Sequence, residues 1–184
     1  MAKIAIYGGT FDPIHKGHLH VIEQVISRGI ADRILIIPAG QPLLRDSQPI
    51  ASGAERRAMC VQALADLPSE IAKKVEVNPI EILRSGPSYA IDTVDAVAQT
   101  YPDDEILLIV GTDAFAKIEQ WHRSDELQDK VDFIVIDRPE FPGDATIDIG
   151  ALNISATQIR AGEIDALSPH VATYIKEHNL YASK

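Results

Sequence analysis

Lys3-Ile-Ala-Ile-Tyr-Gly-Gly-Thr-Phe-Asp-Pro-Ile-His-Lys-Gly-His-Leu-His20 decides the reading of this chain. It reads as a strand, a tight glycine turn and the first turn of a helix. Ile4, Ala5 and Ile6 form a short apolar run of buried-strand type, and Gly8-Gly9 ends it where residues without a Cβ bend most easily. From Gly17 to about Arg28, the residues Leu19, Ile22, Val25 and Ile26 share one face, which predicts an amphipathic helix packed on the strand. Unpaired N–H groups at a helix start carry partial positive charge, so the segment is a phosphate site in outline. His15 and His18 stand at the helix entrance and point the same way if Lys16 and Gly17 are already near-helical, adding donors to a polyphosphate site. The same pair is also half of a zinc set, but Cys60 is the sole cysteine and no carboxylate stands beside the pair at ligand spacing.

Outward from that segment, strand and helix signals alternate. Arg33 to Ile37 is an apolar run that ends at Pro38-Ala-Gly40, and a polar loop from Gly40 to Ser52 follows. Ala54 to Leu67 is helix-forming, with Ala58, Val61 and Ala65 on one face and Pro68 as its stop. Val75 to Leu83 is strand-like, Gly86-Pro87-Ser88 breaks it, and a helix is predicted from about Tyr89 to Thr100. Ile106 to Val110 is the clearest central strand, with Gly111-Thr112-Asp113 at its carboxyl end, where doubly wound sheets place ligands. Val131 to Ile136 is another strand, and Arg138 to Gly150 looks irregular with a short strand near Ile147. Two helices close the chain, Ser155 to Arg160 and Ser168 to about Asn179, the second opening with Ser168 as N-cap and Pro169 at its first position. The alternation predicts an α/β fold: one Rossmann-like domain over 1–184, a doubly wound parallel sheet with helices on both faces.

Composition bounds the function. With 184 residues, 46% hydrophobic and 24% charged, the chain matches an ordinary globular domain and excludes the disordered and fibrous classes. Its net charge of −10 argues against a protein that grips nucleic acid by the backbone, so a polyanionic ligand must be held by a local cluster of donors. No apolar stretch approaches a membrane span, and the chain enters a strand directly, without a leader. These features, with a single cysteine, predict a cytoplasmic protein that has no membrane or nucleic-acid partner.

A second chemical motif is Ile154-Ser-Ala-Thr-Gln-Ile-Arg160. Ser155 can cap a helix whose free N–H groups, with the Thr157 hydroxyl and the Arg160 guanidinium, form another anion cradle. Taken alone, it reads first as a capped surface helix with an exposed arginine.

The whole string from Gly8 to His18 resembles the HxGH nucleotidyltransferase signature, and in the form GGTFDPxHxGH it is similar to that of the bacterial nicotinate-nucleotide adenylyltransferases. Residues 154–160 resemble the ISSTxxR signature of the same family, with Ala156 in place of one serine. Ser85-Gly-Pro-Ser-Tyr-Ala-Ile-Asp-Thr93 is similar to its SGPSYTxDT segment, with Ala90 where threonine is frequent. Gly111-Thr-Asp-Ala114 resembles its GxDA turn, and Trp121-His122 its tryptophan beside the pyridine ring. Arg56 matches an arginine of an ERxxM-like helix and reads either as an anion contact or as a solvated helix charge. The chain departs from the family after Pro42, where Leu43, Leu44 and Arg45 replace a proline, a histidine and a lysine; Arg45 supplies the cation in fork form, and nothing replaces the histidine.

The resemblance implies adenylyl transfer from ATP to nicotinate mononucleotide. It assigns catalysis to His15, His18 and Arg160, and ATP binding to Gly8, Gly9, Thr10, Phe11, Gly17, Gly111, Asp113, Ile154, Ser155 and Thr157. It gives the acceptor Arg45, Ser88, Tyr89, Ala90, Trp121 and His122. Asp113 reads also as a helix N-cap, Trp121 as a packing residue, and Asp12 as a turn-stabilising residue or an outer contact of magnesium. Mg2+ is implied as cofactor, bound mainly through the ATP phosphates, with no protein metal site. Whether the chain forms a homo-oligomer is left open. The alternatives are another HxGH enzyme, acting on pantetheine phosphate or nicotinamide mononucleotide, and a nucleotide-binding regulator without catalysis. Retention of both histidines and Arg160 separates an enzyme from the regulator.

Overall fold

Ile4 to Ile6 and Ile34 to Ile37 are buried without interruption, so the sheet they build must be covered on both faces. The computed structural model, which describes residues 1–41 and 47–182, places β1 (Lys3–Gly9), α1 (Lys16–Ser27), β2 (Arg33–Pro38), α2 (Gly53–Leu64), α3 (Ser69–Ala72), β3 (Val75–Val77) and α4 (Ile80–Leu83) in the first half. The second half holds α5 (Ala90–Thr100), β4 (Glu105–Gly111), α6 (Thr112–Phe115), α7 (Ser124–Lys130), β5 (Asp132–Ile136), α8 (Ala156–Arg160) and α9 (Pro169–Glu177). The five strands are parallel, in the order β3-β2-β1-β4-β5. Ile4 of β1 pairs with Arg33 on one side and Ile106 on the other, which makes β1 the central strand and β4 its neighbour.

Strand side chains alternate between two cores. Ala5, Ile34, Ile36 and Leu107 meet Ile22 and Val25 of α1, Met59 of α2 and Val171 of α9. Ile4, Ile6, Leu35 and Leu108 face the other way, onto Ile91 and Val94 of α5 and Leu127 of α7. Full burial of each isoleucine, leucine, valine or methionine among them contributes about 1.5–3 kcal/mol. The two-faced, doubly wound prediction is therefore met in every layer.

Four local expectations change. Val75 to Leu83 is not one strand: Asn78 Oδ1 accepts the Ile80 N–H at 3.0 Å, Pro79 has no N–H for a ladder, and α4 begins after it. The buried stripe of α2 is Arg56, Met59, Cys60 and Ala63, while Val61 is 45% exposed. Hydropathy pointed to Ala58, Val61 and Ala65 because no apolar period selects a stripe that includes a buried arginine. The capping box between Ser52 and Glu55 fixes where this helix starts, with Glu55 N–H on Ser52 Oγ and Ser52 N–H on Glu55 Oε2. Ser168 and Ser155 occupy N-cap positions but make no side-chain cap bonds. The short strand near Ile147 is a single bridge to Ile136.

From β1 the chain steps outward to β2 and β3, then returns to the far side of β1 as β4. The connections leaving the carboxyl ends of β1 and β4 thus diverge, and a cleft of about 1400 Å³ opens there.

Candidate active site

The loop from β1 to α1 forms one wall of this cleft. Gly8 and Gly9 lack the left-handed backbone that a sharp glycine turn would show. Gly9 is required for room, since a Cβ there would lie 2.9 Å from the ring of Phe11. Phe11 adopts the left-handed conformation instead, with φ of 51°, and its ring meets His18 edge to face at 5.0 Å. The aromatic contact thus compensates a backbone that bulky residues seldom adopt.

His15 and His18 do point the same way, with rings stacked at 3.7 Å. Each is oriented through Nδ1: Gly17 N–H donates to His15 Nδ1 at 3.2 Å, and His15 N–H donates to His18 Nδ1 at 3.1 Å. Gly17 is needed here, because a Cβ would come within 3.0 Å of the His15 ring. A ring nitrogen that accepts a backbone N–H carries no proton, so each neutral ring holds its proton on Nε2. Burial, with the Arg138 cation second, lowers the His15 pKa to about 4. Burial also takes His18 well below the usual imidazole range, helped by His15 and Arg138. The pair is therefore two neutral N–H donors, with Nδ1 of each already engaged by backbone. Among the described residues no three His, Cys, Asp or Glu side chains converge on a metal position.

Arg160 reaches this wall from α8. Its Nη1 donates to the carbonyl of Asp12 at 2.6 Å and its Nη2 to Thr157 Oγ1 at 3.2 Å, so the hydroxyl and the guanidinium of the second motif act together. Ser155, Thr157 and Ile154 line the cleft. Asp12 is turned inward, its carboxylate accepting from Ile50 N–H at 2.8 Å and Ala51 N–H at 3.1 Å, which is the turn-stabilising role. Arg56 is not a solvated charge. It is 1% exposed and donates to the carbonyls of Thr10, Ala39 and Ala51, tying the carboxyl ends of β1 and β2 together.

The opposite wall holds the expected acceptor residues, except Arg45, which with Leu43 and Leu44 lies outside the described residues. Tyr89 and His122, both lining the cleft, stack on each other at 4.2 Å. Ala90 opens α5, and Trp121 follows a 3-10 turn at Ile118–Gln120. Trp121 lines the cleft half-buried, and its buried Nε1–H finds no acceptor among the described residues. Ser88 is a brace: its Oγ accepts from Gly40 N–H at 3.0 Å and Gln41 N–H at 3.1 Å. Beneath it burial raises the pKa of Glu81, against hydrogen bonds from Thr93 and Ser88 that lower it. Gly111 and Asp113 sit at the cleft beyond β4, with Gly111 as the N-cap of α6 and Asp113 inside its first turn.

Sequence reasoning missed two residues of the site. Arg138 lies just after β5 at the cleft, where its charge acts on both imidazoles. Thr112 Oγ1 donates to Phe141 O at 2.6 Å and accepts Arg138 N–H at 3.0 Å, holding that segment in place. A cation at the carboxyl end of a predicted strand was a usable signal, but the segment read only as irregular.

The fold and this wall of donors define a nucleotidyltransferase of the cytidylyltransferase-like class, and a family model of that description, Cytidylyltransferase-like, matches residues 6–162. A Bacillus pumilus protein named "Probable nicotinate-nucleotide adenylyltransferase" is 35% identical over 100% of both chains. The nicotinate-nucleotide adenylyltransferase of Bacillus subtilis is 34% identical, again over 100% of both. The chain belongs to the nicotinate-nucleotide adenylyltransferase family. In fold it is similar to nicotinic acid mononucleotide adenylyltransferase of Plasmodium falciparum, solved with APC and with NaAD, at TM-scores of 0.81 and 0.80 over 98% of each chain and identities of 20% and 22%.

Proposed function

We propose that this enzyme transfers the adenylyl group of ATP to the 5′-phosphate of nicotinate mononucleotide, giving nicotinate adenine dinucleotide and pyrophosphate. The observation that carries the reading is the pair of imidazoles that line the cleft, each held through Nδ1 by a backbone N–H, on a loop whose Asp12 carbonyl also fixes Arg160. An acceptor phosphate oxygen attacks the α-phosphorus, the bond to the β-phosphate oxygen breaks, and its electron pair leaves with pyrophosphate. No side-chain base is required, since the attacking oxygen is already an anion. The task is to align two repelling phosphates and stabilise charge, which fixed donors do without reorganising. His15, His18 and the backbone at Gly9 and Thr10 serve the α-phosphate in this reading, and Arg160 with Ser155 and Thr157 serves the leaving phosphates. Magnesium, a hard cation carried on the phosphate oxygens, supplies further charge neutralisation and calls for few protein ligands.

On the opposite wall, Trp121 stacks on the pyridine, and backbone N–H groups near Ala90 and His122 receive the acceptor's carboxylate. An amide there would leave donors unpaired at about 1–3 kcal/mol each, so the acid is favoured by roughly tenfold or more. The test is pyrophosphate release from magnesium-ATP with nicotinate mononucleotide and with its amide. Equal efficiency with the two acceptors contradicts the acid preference, and release with neither contradicts the reaction. Among the described residues no helix is long and apolar enough to cross a membrane, and we place the reaction in the cytoplasm.

A further inference from the structure

We propose that Tyr181, at the opposite end of the chain from the His15 loop, is a positioning residue for the phosphate wall: its hydroxyl completes the hydrogen bonding of Asp12, and Asp12 holds Arg160. The inference rests on the reading of Arg160 as a phosphate contact. Tyr181 O–H donates to Asp12 Oδ1 at 2.6 Å. Among the described residues the other donors to that carboxylate are the backbone N–H groups of Ile50 and Ala51, which lead into the capped start of α2. Asp12 is 2% exposed, so water is not available to replace a lost donor.

The carbonyl of Asp12 accepts Arg160 Nη1 at 2.6 Å, while the same Nη1 stands 4.0 Å from Asp12 Oδ2. A carboxylate short of one donor has an obvious substitute in that guanidinium. Without the Tyr181 hydroxyl, Arg160 is drawn off the carbonyl towards the carboxylate, away from its Thr157 partner. The hydroxyl thus leaves Arg160 free to serve a ligand.

The tail is built to deliver this bond. α9 is fastened to the end of α2 where His170 N–H and Nδ1 meet the Asp66 carboxylate at 3.1 and 2.5 Å. Asn179 ends the helix in left-handed backbone, and Tyr181 takes it too, with φ of 59°, which a bulky residue holds only where its surroundings impose it. The Tyr181 side chain packs beside Met59 of α2. Burial and the Asp12 carboxylate push its ionisation far above the phenol range, so the hydroxyl remains a donor at all working pH values.

The test uses the full chain with Tyr181→Phe, which keeps the ring and removes one oxygen. Binding of inorganic pyrophosphate is measured by calorimetry, and Michaelis constants are measured for ATP and for nicotinate mononucleotide. Loss of the bond should weaken pyrophosphate and ATP about three- to tenfold and leave the acceptor unchanged. In an Asp12→Asn background the carboxylate that would draw Arg160 away is absent, so adding Tyr181→Phe there should cause no further loss of pyrophosphate affinity. Unchanged pyrophosphate affinity, equal loss for pyrophosphate and acceptor, additive losses, or a Tyr181→Phe chain that fails to fold would each overturn the proposal. Pyrophosphate binding needs no turnover, so a parent chain that binds it without transferring adenylate counts against the reaction and not against Tyr181.

Discussion

The two walls of the cleft are built differently. On one wall His15, His18, Arg160 and Thr157 are each hydrogen-bonded to backbone or to a neighbouring side chain. On the wall of Tyr89, Trp121 and His122, the rings stack on each other or line open space, and the Trp121 Nε1–H is unmatched among the described residues. The difference follows from the work each wall does. Stabilising charge at a reacting phosphorus rewards donors that need not move, whereas recognising a flat ring needs only exposed aromatic surface.

Removing part of the fixed wall should therefore cost the most. His18→Ala is expected to lower turnover by about 10²–10³, as loss of one preorganised donor does, with a smaller effect on ATP affinity. Turnover within about threefold of the parent would take His18 out of the reaction. Arg160→Ala should weaken ATP and pyrophosphate together by roughly ten- to a hundredfold, corresponding to the 1.5–3 kcal/mol of a charge-assisted bond. If the acceptor alone bound more weakly, Arg160 would belong to the other wall.

The open wall should respond more gently. Trp121→Ala is expected to weaken both the acid and the amide acceptor by roughly two- to tenfold while preserving their ratio, since stacking does not distinguish them. A changed ratio with unchanged overall affinity would make Trp121 a selector of the carboxylate. The smallest effect concerns pH. The His15 pKa falls from 6.5 to about 4 on folding, so the unfolded chain takes up a proton that the folded chain resists. Its contribution to stability is complete above pH 6.5 and is lost as pH falls through that window towards 4. The melting temperature of the unliganded protein should fall over this interval, and His15→Asn, which keeps an acceptor near Nδ1, should flatten the slope. A slope unchanged in that variant would assign the titration elsewhere.

Much of the fixed wall was legible because it is local. The strand, the histidines three apart and the helix stripe of Leu19, Ile22 and Ile26 lie within one short segment, and Ser155 to Arg160 lies within another. What was not legible depends on distant partners. Arg56 read as an anion contact or a surface charge because its acceptors, the carbonyls of Thr10 and Ala39, come from other turns of the fold. Tyr181 meets Asp12 across almost the whole chain, and no spacing announces that contact. Ser88, expected at the acceptor and found lining the cleft, also braces Gly40 and Gln41, a use visible only once the two loops are side by side. Gly9 was legible in kind but not in cause, since the need is space for Phe11 and not a turn.

The most direct test of the fixed-wall account is the protonation state of the two imidazoles in the unliganded protein, read from their ring-nitrogen resonances in a ¹⁵N-histidine-labelled sample at neutral pH. The account predicts that His15 and His18 are both neutral with the proton on Nε2. A proton on Nδ1 of either ring, or an imidazolium at that pH, would contradict it.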